Sequence, residues 1–361
     1  MIHDFLIIGG GIAGVSAAAR LSTQGSVLLL ESEPHLAHHA SGRSAALYEP
    51  RYGPAPVVAL SLASGDYFHS QTNLLTPRGL LILARADQAA EFADDIATMQ
   101  LDPISIAKAQ EKLPILNTAT VAHAAYADHA WDIDTDLMIQ TFARAARANG
   151  AQIVTAAPVT TIRRDAVWVV QTAGATHRSR ILINAAGAWA DPVARMAGVR
   201  PLGIQPMRRS MARIPAPGGH DVSRWPMIFG CGESWYAKPD AGSLIVSPAE
   251  EHPMDPHDAW ADDMVLAQGL ARYEQMVTEP VTRLRASWAG LRSFAPDRVP
   301  VIGFDPAQPA FFWLAGQGGY GFQSAPAASA LAAALISGQP TGHTPGLVAA
   351  LAPARFSGPP S

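Results

Sequence analysis

The sequence is short of cysteine, of charge and of long apolar runs, and each shortage removes a class of protein. Its one thiol, Cys231, cannot close an internal disulfide or build a zinc or iron–sulfur site alone. A reducing compartment, the cytoplasm, is therefore the expected setting. Charged residues make up only 16% of the chain and the net charge is −4, which leaves no basic footprint for nucleic acid or an anionic membrane surface. The apolar start, residues 1–8, lacks a basic flank and breaks at Gly9, so neither a signal peptide nor an integral membrane span is expected. Peripheral docking at the inner membrane would leave no necessary mark on such a sequence. With 48% hydrophobic residues over 361 positions, disorder is excluded and two interleaved domains are expected rather than one minimal core.

What is present begins with a short apolar run at 5–8, an Ala-rich helical stretch at 12–21 and a second apolar run at 27–30: strand, helix, strand. Between the first two stand Gly9, Gly10, Gly11, Ile12, Ala13 and Gly14, a G-x-G-x-x-G in the context its chemistry needs. Gly9 permits the tight turn, Gly11 lets the backbone approach a pyrophosphate, and Gly14 lets helix and strand pack closely, while the helix N-terminus offers N–H groups to the anion. Glu31 ends the second strand, where a carboxylate accepts from a ribose hydroxyl and repels a 2'-phosphate. The motif does not separate FAD from NAD.

Further along, 132–150 predicts a helix capped near Asp134 or Thr135 and stopped by Asn149 and Gly150. Strands are expected at 160–163, 167–171 and 181–183, loops at 215–221 and 247–257, and a last helix at 326–336 closed by Gly338 and Pro340. The end, 357–361, is expected to fray. There is no internal repeat.

Three more stretches decide the cofactor: His39-Ala40-Ser41-Gly42-Arg43-Ser44-Ala45-Ala46, Asn184-Ala185-Ala186-Gly187-Ala188-Trp189 and Gln317-Gly318-Gly319-Tyr320-Gly321-Phe322-Gln323. With them the chain resembles the D-amino-acid oxidase superfamily of flavoenzymes over almost its whole length, and within it most closely the D-arginine dehydrogenases. The resemblance implies an α/β fold in which a Rossmann-type FAD-binding domain (1–50, 140–205 and 288–361) is interleaved with an α+β substrate domain on a mostly antiparallel sheet (51–139 and 206–287). It implies noncovalent FAD, with Ser41, Arg43, Ser44 and Ala45 beside the flavin, Ala186, Gly187 and Trp189 at the dinucleotide, and Gly318, Gly319, Tyr320, Gly321, Phe322 and Gln323 at the flavin ring. There a helix N-terminus favours the negative charge of the reduced state.

The implied reaction is oxidation of a D-amino acid to the imino acid, which water converts to the 2-oxo acid and ammonia. The resemblance assigns the substrate carboxylate to Arg292 and to one of Arg208 and Arg209; strand alternation sends only one of the pair inward, and Arg209 is the expected one. Gly290 would face the amine, and Tyr236 and Tyr52 would line the pocket. Three departures concern the side-chain pocket: Leu80 stands where the D-arginine dehydrogenases carry a glutamate, Leu47 where they carry a histidine, and Glu49 where they carry a threonine. An apolar pocket of Leu47, Leu80, Met227 and Phe229 is expected, with Glu49 either paired to Arg51 or facing a basic substrate.

No metal is expected: His35, His38 and His39 read as polar loop residues, and the acidic run at 132–136 reads as helix capping rather than a calcium loop, since Leu137 and Ala143 occupy its required glycine and glutamate positions. The rival readings are oxidation of a secondary amine such as sarcosine and a flavin-binding protein without turnover. The electron acceptor, whether oxygen, a quinone or a protein, is left open.

Overall fold

The computed structural model describes residues 1–356, so the expected fraying of 357–361 lies outside the described residues. Ile2–Ile8 is a central strand, parallel to Val27–Leu30 on one side and to Thr176–Asn184 on the other. Gln152–Val154 and Phe311–Ala315 extend this parallel sheet, and antiparallel strands complete its eight. Strands buried on both faces read as continuous apolar runs, which is why Val27–Leu30 has no polar alternation.

One face is covered by the helices Ile12–Leu21, Thr135–Ala148 and Gly321–Ser337, whose Val15, Met138 and Leu331 pack with Ile7, Leu29 and Phe312 of the sheet. Leu6, Leu28, Trp168 and Trp313 fill the other face. Thr135–Ala148 starts where its cap dictates, with the Asp134 carboxylate accepting from Leu137 N–H. The last helix begins at Gly321 rather than Pro326. Pro326 lies inside it, because one proline near a helix start costs a single ladder bond, and the neighbouring Ala327 N–H finds the Ser64 hydroxyl at 3.1 Å.

The second sheet has nine strands and is antiparallel except where Met227–Gly230 runs beside Leu80–Ala84. Its longest pairing joins Gln205–Pro215 to Ala286–Phe294 in unbroken register. A boundary at 288 therefore cuts a strand of this sheet, and one at 140 cuts the helix Thr135–Ala148. Leu60 and Phe68, from the 51–139 segment, pack into the core of the first sheet. Among the described residues no helix is long and apolar enough to cross a membrane.

Candidate active site

Between the two sheets runs one cleft. Its first part is lined by Gly9, Gly11, Glu31, Ala186, Gly187 and Trp189, and its second by Ile12, Ala13, Ser44, Ala45, Gly318, Gly319, Gly321, Phe322 and Gln323. Gly11, Ser41, Arg43, Gly187 and Gly290 line both parts and join them.

Gly9 turns at φ +110°, and a side chain on Gly14 would stand 1.9 Å from the Gly9 carbonyl oxygen, so helix and strand meet here only because both are glycine. Gly14 accordingly lies in that contact rather than in the cleft wall. Gly11 caps the helix without a side-chain acceptor, and the Ser41 hydroxyl accepts from Ile12 N–H at 3.0 Å. Glu31 is buried and accepts from Gly10 N–H at 2.6 Å and Glu33 N–H at 2.8 Å, which holds its carboxylate at the rim. Gly187, at φ +55°, faces open space. A bare glycine backbone, a helix N-terminus and a buried carboxylate along one elongated groove fit an extended dinucleotide. Glu33, His38 and His39 each bring one ligating atom within 4.8 Å of the others at the same rim, with the His39 ring 3.0 Å from the Glu33 carboxylate and packed on Trp189. Arg43 donates to the carbonyls of Ala259 and Ala289 and pairs with Asp258, tying the loop before the flavin end to the second sheet.

The far end of the cleft is set by strand register. Arg209 lies opposite Gly290 and Met207 opposite Arg292, so Arg209, Gly290 and Arg292 share one face of the sheet. Arg208, one residue along, points to the other face, where it meets His252, Asp262 and Glu250. The face of Arg209 and Arg292 also carries Tyr236, reached through Ser247. Gly318 N–H donates to the Ser293 carbonyl, and a side chain at Gly319 would stand 2.9 Å from the Arg292 guanidinium, so that guanidinium is laid against the glycine loop.

Glu233 occupies the centre. It accepts from Arg209 at 2.8 Å and from the Tyr52 hydroxyl at 2.6 Å, and lies 3.4 Å from Arg292. It sits in a turn with Gly232 at φ +65° and Glu233 itself at +51°, a conformation a glutamate adopts only when its surroundings hold it there. Sequence reasoning missed it; the one local sign is an acidic residue in the glycine turn leading to Tyr236. Its partners are distant in the chain. The Tyr236 hydroxyl, buried and without a protein partner, remains available.

Burial opposes ionisation of Glu233, but Arg292 and Arg209 outweigh it and hold its carboxyl below the usual carboxylate range. Burial, then the Glu233 charge, raises the Tyr52 phenol well above its ordinary value. Burial alone would lower Arg292, yet the oxygens of Tyr52, Tyr236 and Glu233 raise it, so it stays a cation. Arg298 pairs both oxygens of Glu251, which also reaches Arg209 at 3.3 Å. Three arginines against two glutamates leave one net positive charge.

The expectation of an apolar pocket is corrected on two counts. Leu47, Met227, Phe229 and Met211 do line the cavity, but so does Glu49, which is 2% exposed, accepts from the Arg51 backbone N–H and stands 3.2 Å from His129, leaving Oε2 unpartnered. The Arg51 side chain goes instead to Gln100. Leu80 shares the face of its register partner Met227 but lies a strand beyond it, fully buried with Ile82 and Ala127 rather than in the cavity wall. Tyr320 likewise packs behind the wall, on Tyr52 and Phe294. Gln323 donates to the Tyr52 carbonyl.

The profile of the FAD dependent oxidoreductase family matches residues 4–335. FAD-dependent oxidoreductase domain-containing protein 1 of Xenopus laevis is 24% identical, with 92% of this chain and 79% of that protein covered. Human mitochondrial dimethylglycine dehydrogenase is 25% identical over 88% of this chain, which spans 40% of that longer protein. The crystal structure of glycine oxidase from Geobacillus kaustophilus superposes with a TM-score of 0.83 at 22% identity, covering 98% of both chains.

Proposed function

Because the chain belongs to the family of FAD dependent oxidoreductases, we propose that it oxidises the C–N bond of a small amino acid carrying a single carboxylate, a D-amino acid being the first candidate. The observation that carries this reading is the placement of Arg209 and Arg292 on one sheet face beside Gly290, where the substrate end of the cleft meets the Gly318–Gly319 loop. Two guanidiniums and one unpartnered phenol form a carboxylate clamp, and the single net positive charge of the arginine–glutamate cluster suits one carboxylate.

Gly9, Gly11, Ile12, Ser41, Gly187 and Glu31 would hold the dinucleotide, and Ala45, Gly318, Gly319 and Phe322 the ring. When bound, FAD would supply a two-electron sink for the oxidation. The protein's part is orientation. Arg292, Arg209 and Tyr236 bind the carboxylate, and the free Oε2 of Glu49 is a carboxylate acceptor for the ammonium or for a basic side chain. The imino acid released is then hydrolysed to the 2-oxo acid and ammonia.

A second reading, oxidation of an N-methyl amino acid, is supported by the likeness to dimethylglycine dehydrogenase together with the apolar wall of Met211, Met227 and Phe229, which accommodates an N-alkyl group. Anaerobic bleaching of the flavin absorbance with D-, L- and N-methyl amino acids separates the two. Reduction by D-amino acids establishes the first reading and reduction confined to N-methyl compounds the second; a bound flavin that no compound reduces overturns both and leaves a flavin-binding protein without turnover.

A further inference from the structure

Lys238 is an ammonium buried to 8% exposure, on the same sheet face as Tyr236 and two residues beyond it. Its Nζ donates to the carbonyls of Ala45 at 3.0 Å and Ala46 at 3.2 Å, and lies 3.0 Å from Asp132 Oδ1. The other oxygen of Asp132 accepts two bonds from Arg78, whose remaining nitrogen donates to the carbonyls of Ser223 and Trp225. Arg78, Asp132 and Lys238, distant in the chain, are thus linked in series behind the segment Ser44–Leu47, which lines the cleft. A buried lysine spent on two backbone carbonyls is costly unless their orientation matters.

That orientation has a consequence on the cleft side. In a trans peptide the carbonyl and the N–H point to opposite sides. Fixing the Ala45 and Ala46 carbonyls toward Lys238 turns the N–H groups of Ala46 and Leu47 away from it, and Ala46 N–H has no protein acceptor among the described residues. Arg78, Asp132 and Lys238 together carry one net positive charge immediately behind these peptides.

We propose that Lys238, anchored by Asp132, is a positioning residue for the flavin: it aims the Ala46 and Leu47 backbone donors at the ring and, with the net positive charge of its cluster, favours the more negative, reduced state. The inference rests on FAD being the cofactor. It is tested on the FAD-loaded protein by measuring the two-electron reduction potential, the visible spectrum and the FAD dissociation constant of Lys238→Met, Lys238→Arg and Asp132→Asn.

Lys238→Met removes the positive charge and is expected to weaken binding of reduced relative to oxidised FAD about tenfold, a potential roughly 30 mV more negative for a two-electron couple, with an altered flavin spectrum. Lys238→Arg should restore most of the shift. Asp132→Asn, which keeps an Oδ1 acceptor for Lys238 and removes only a negative charge, should move the potential in the opposite direction. A merely structural role predicts the same direction for both changes, or a lower Tm with an unmoved potential, and either result overturns the proposal. If Lys238→Met does not fold, the sign of the Asp132→Asn shift decides. Failure of the wild-type protein to bind FAD at all would instead strike the cofactor assignment.

Discussion

The Glu233 carboxylate accepts a 2.8 Å hydrogen bond from Arg209, so one of the two cationic groups facing the substrate end of the cleft is already engaged by a side chain of the protein itself. Arg292 stands 3.4 Å from the same oxygen. A carboxylate ligand entering this site therefore meets arginines that share their charge with an internal acid.

Replacing that acid should make the clamp stronger. Glu233→Gln preserves shape and a Tyr52 partner but frees the arginine charge, and a small monocarboxylate such as benzoate should bind about tenfold tighter, ~1.4 kcal/mol. Unchanged or weaker binding by titration of the flavin spectrum would show that Glu233 does not compete with ligand. The acid stability should change too. A carboxyl held below its ordinary value of 4.5 contributes stability that is complete above that pH and is lost as pH falls through the folded value. The variant should lack this loss in acid melts.

Arg292→Met should raise KM and lower kcat/KM by about 10²–10³-fold, roughly 3–4 kcal/mol of lost charge-assisted binding, while the flavin spectrum stays as in the wild type. Wild-type kinetics in this variant would remove the carboxylate clamp from the proposed function.

His129 titrates upward because the Glu49 carboxylate, 3.2 Å away, outweighs its burial. Its folded value lies above the ordinary 6.5, so the stability it contributes is complete below about pH 6.5 and is lost as pH rises through the folded value. Melting temperature measured from pH 6 to 9 should fall more steeply for the wild type than for His129→Gln. Parallel curves would mean that the pair is not formed.

Leu80→Glu should not redirect specificity toward a basic substrate. Leu80 is fully buried behind Met227 among apolar side chains, so a loss of several kcal/mol, about 3–5, is expected for burying a carboxylate there. A folded variant with wild-type Tm and a new preference for D-arginine or D-lysine would place Leu80 in the cavity wall after all.

The cofactor half of the molecule was the more legible one because its signals are local. The turn at Gly9, the close packing at Gly14 and the helix Ile12–Leu21 depend on backbone freedom, absent side chains and a 3.6-residue period, all contained within 20 residues of sequence. The cap at Asp134 is equally local, and strand alternation was enough to separate Arg208 from Arg209. The resemblance carried Tyr52, Tyr236 and Arg292 to one cavity without saying what stands between them.

What the residues alone could decide, then, was each element's type and the glycine cradle, since these follow from φ/ψ preferences and periodicity along the chain. The rest belongs to register and crossing between sheets. Glu233 reaches Arg209 across 24 residues and Arg292 across 59, Lys238 reaches Ala45 across 193, and Leu80 stands outside the wall by one strand spacing. No local pattern encodes such meetings: an acid in a glycine turn and a lysine on a strand look like surface residues until the pairing of distant strands buries them against their partners.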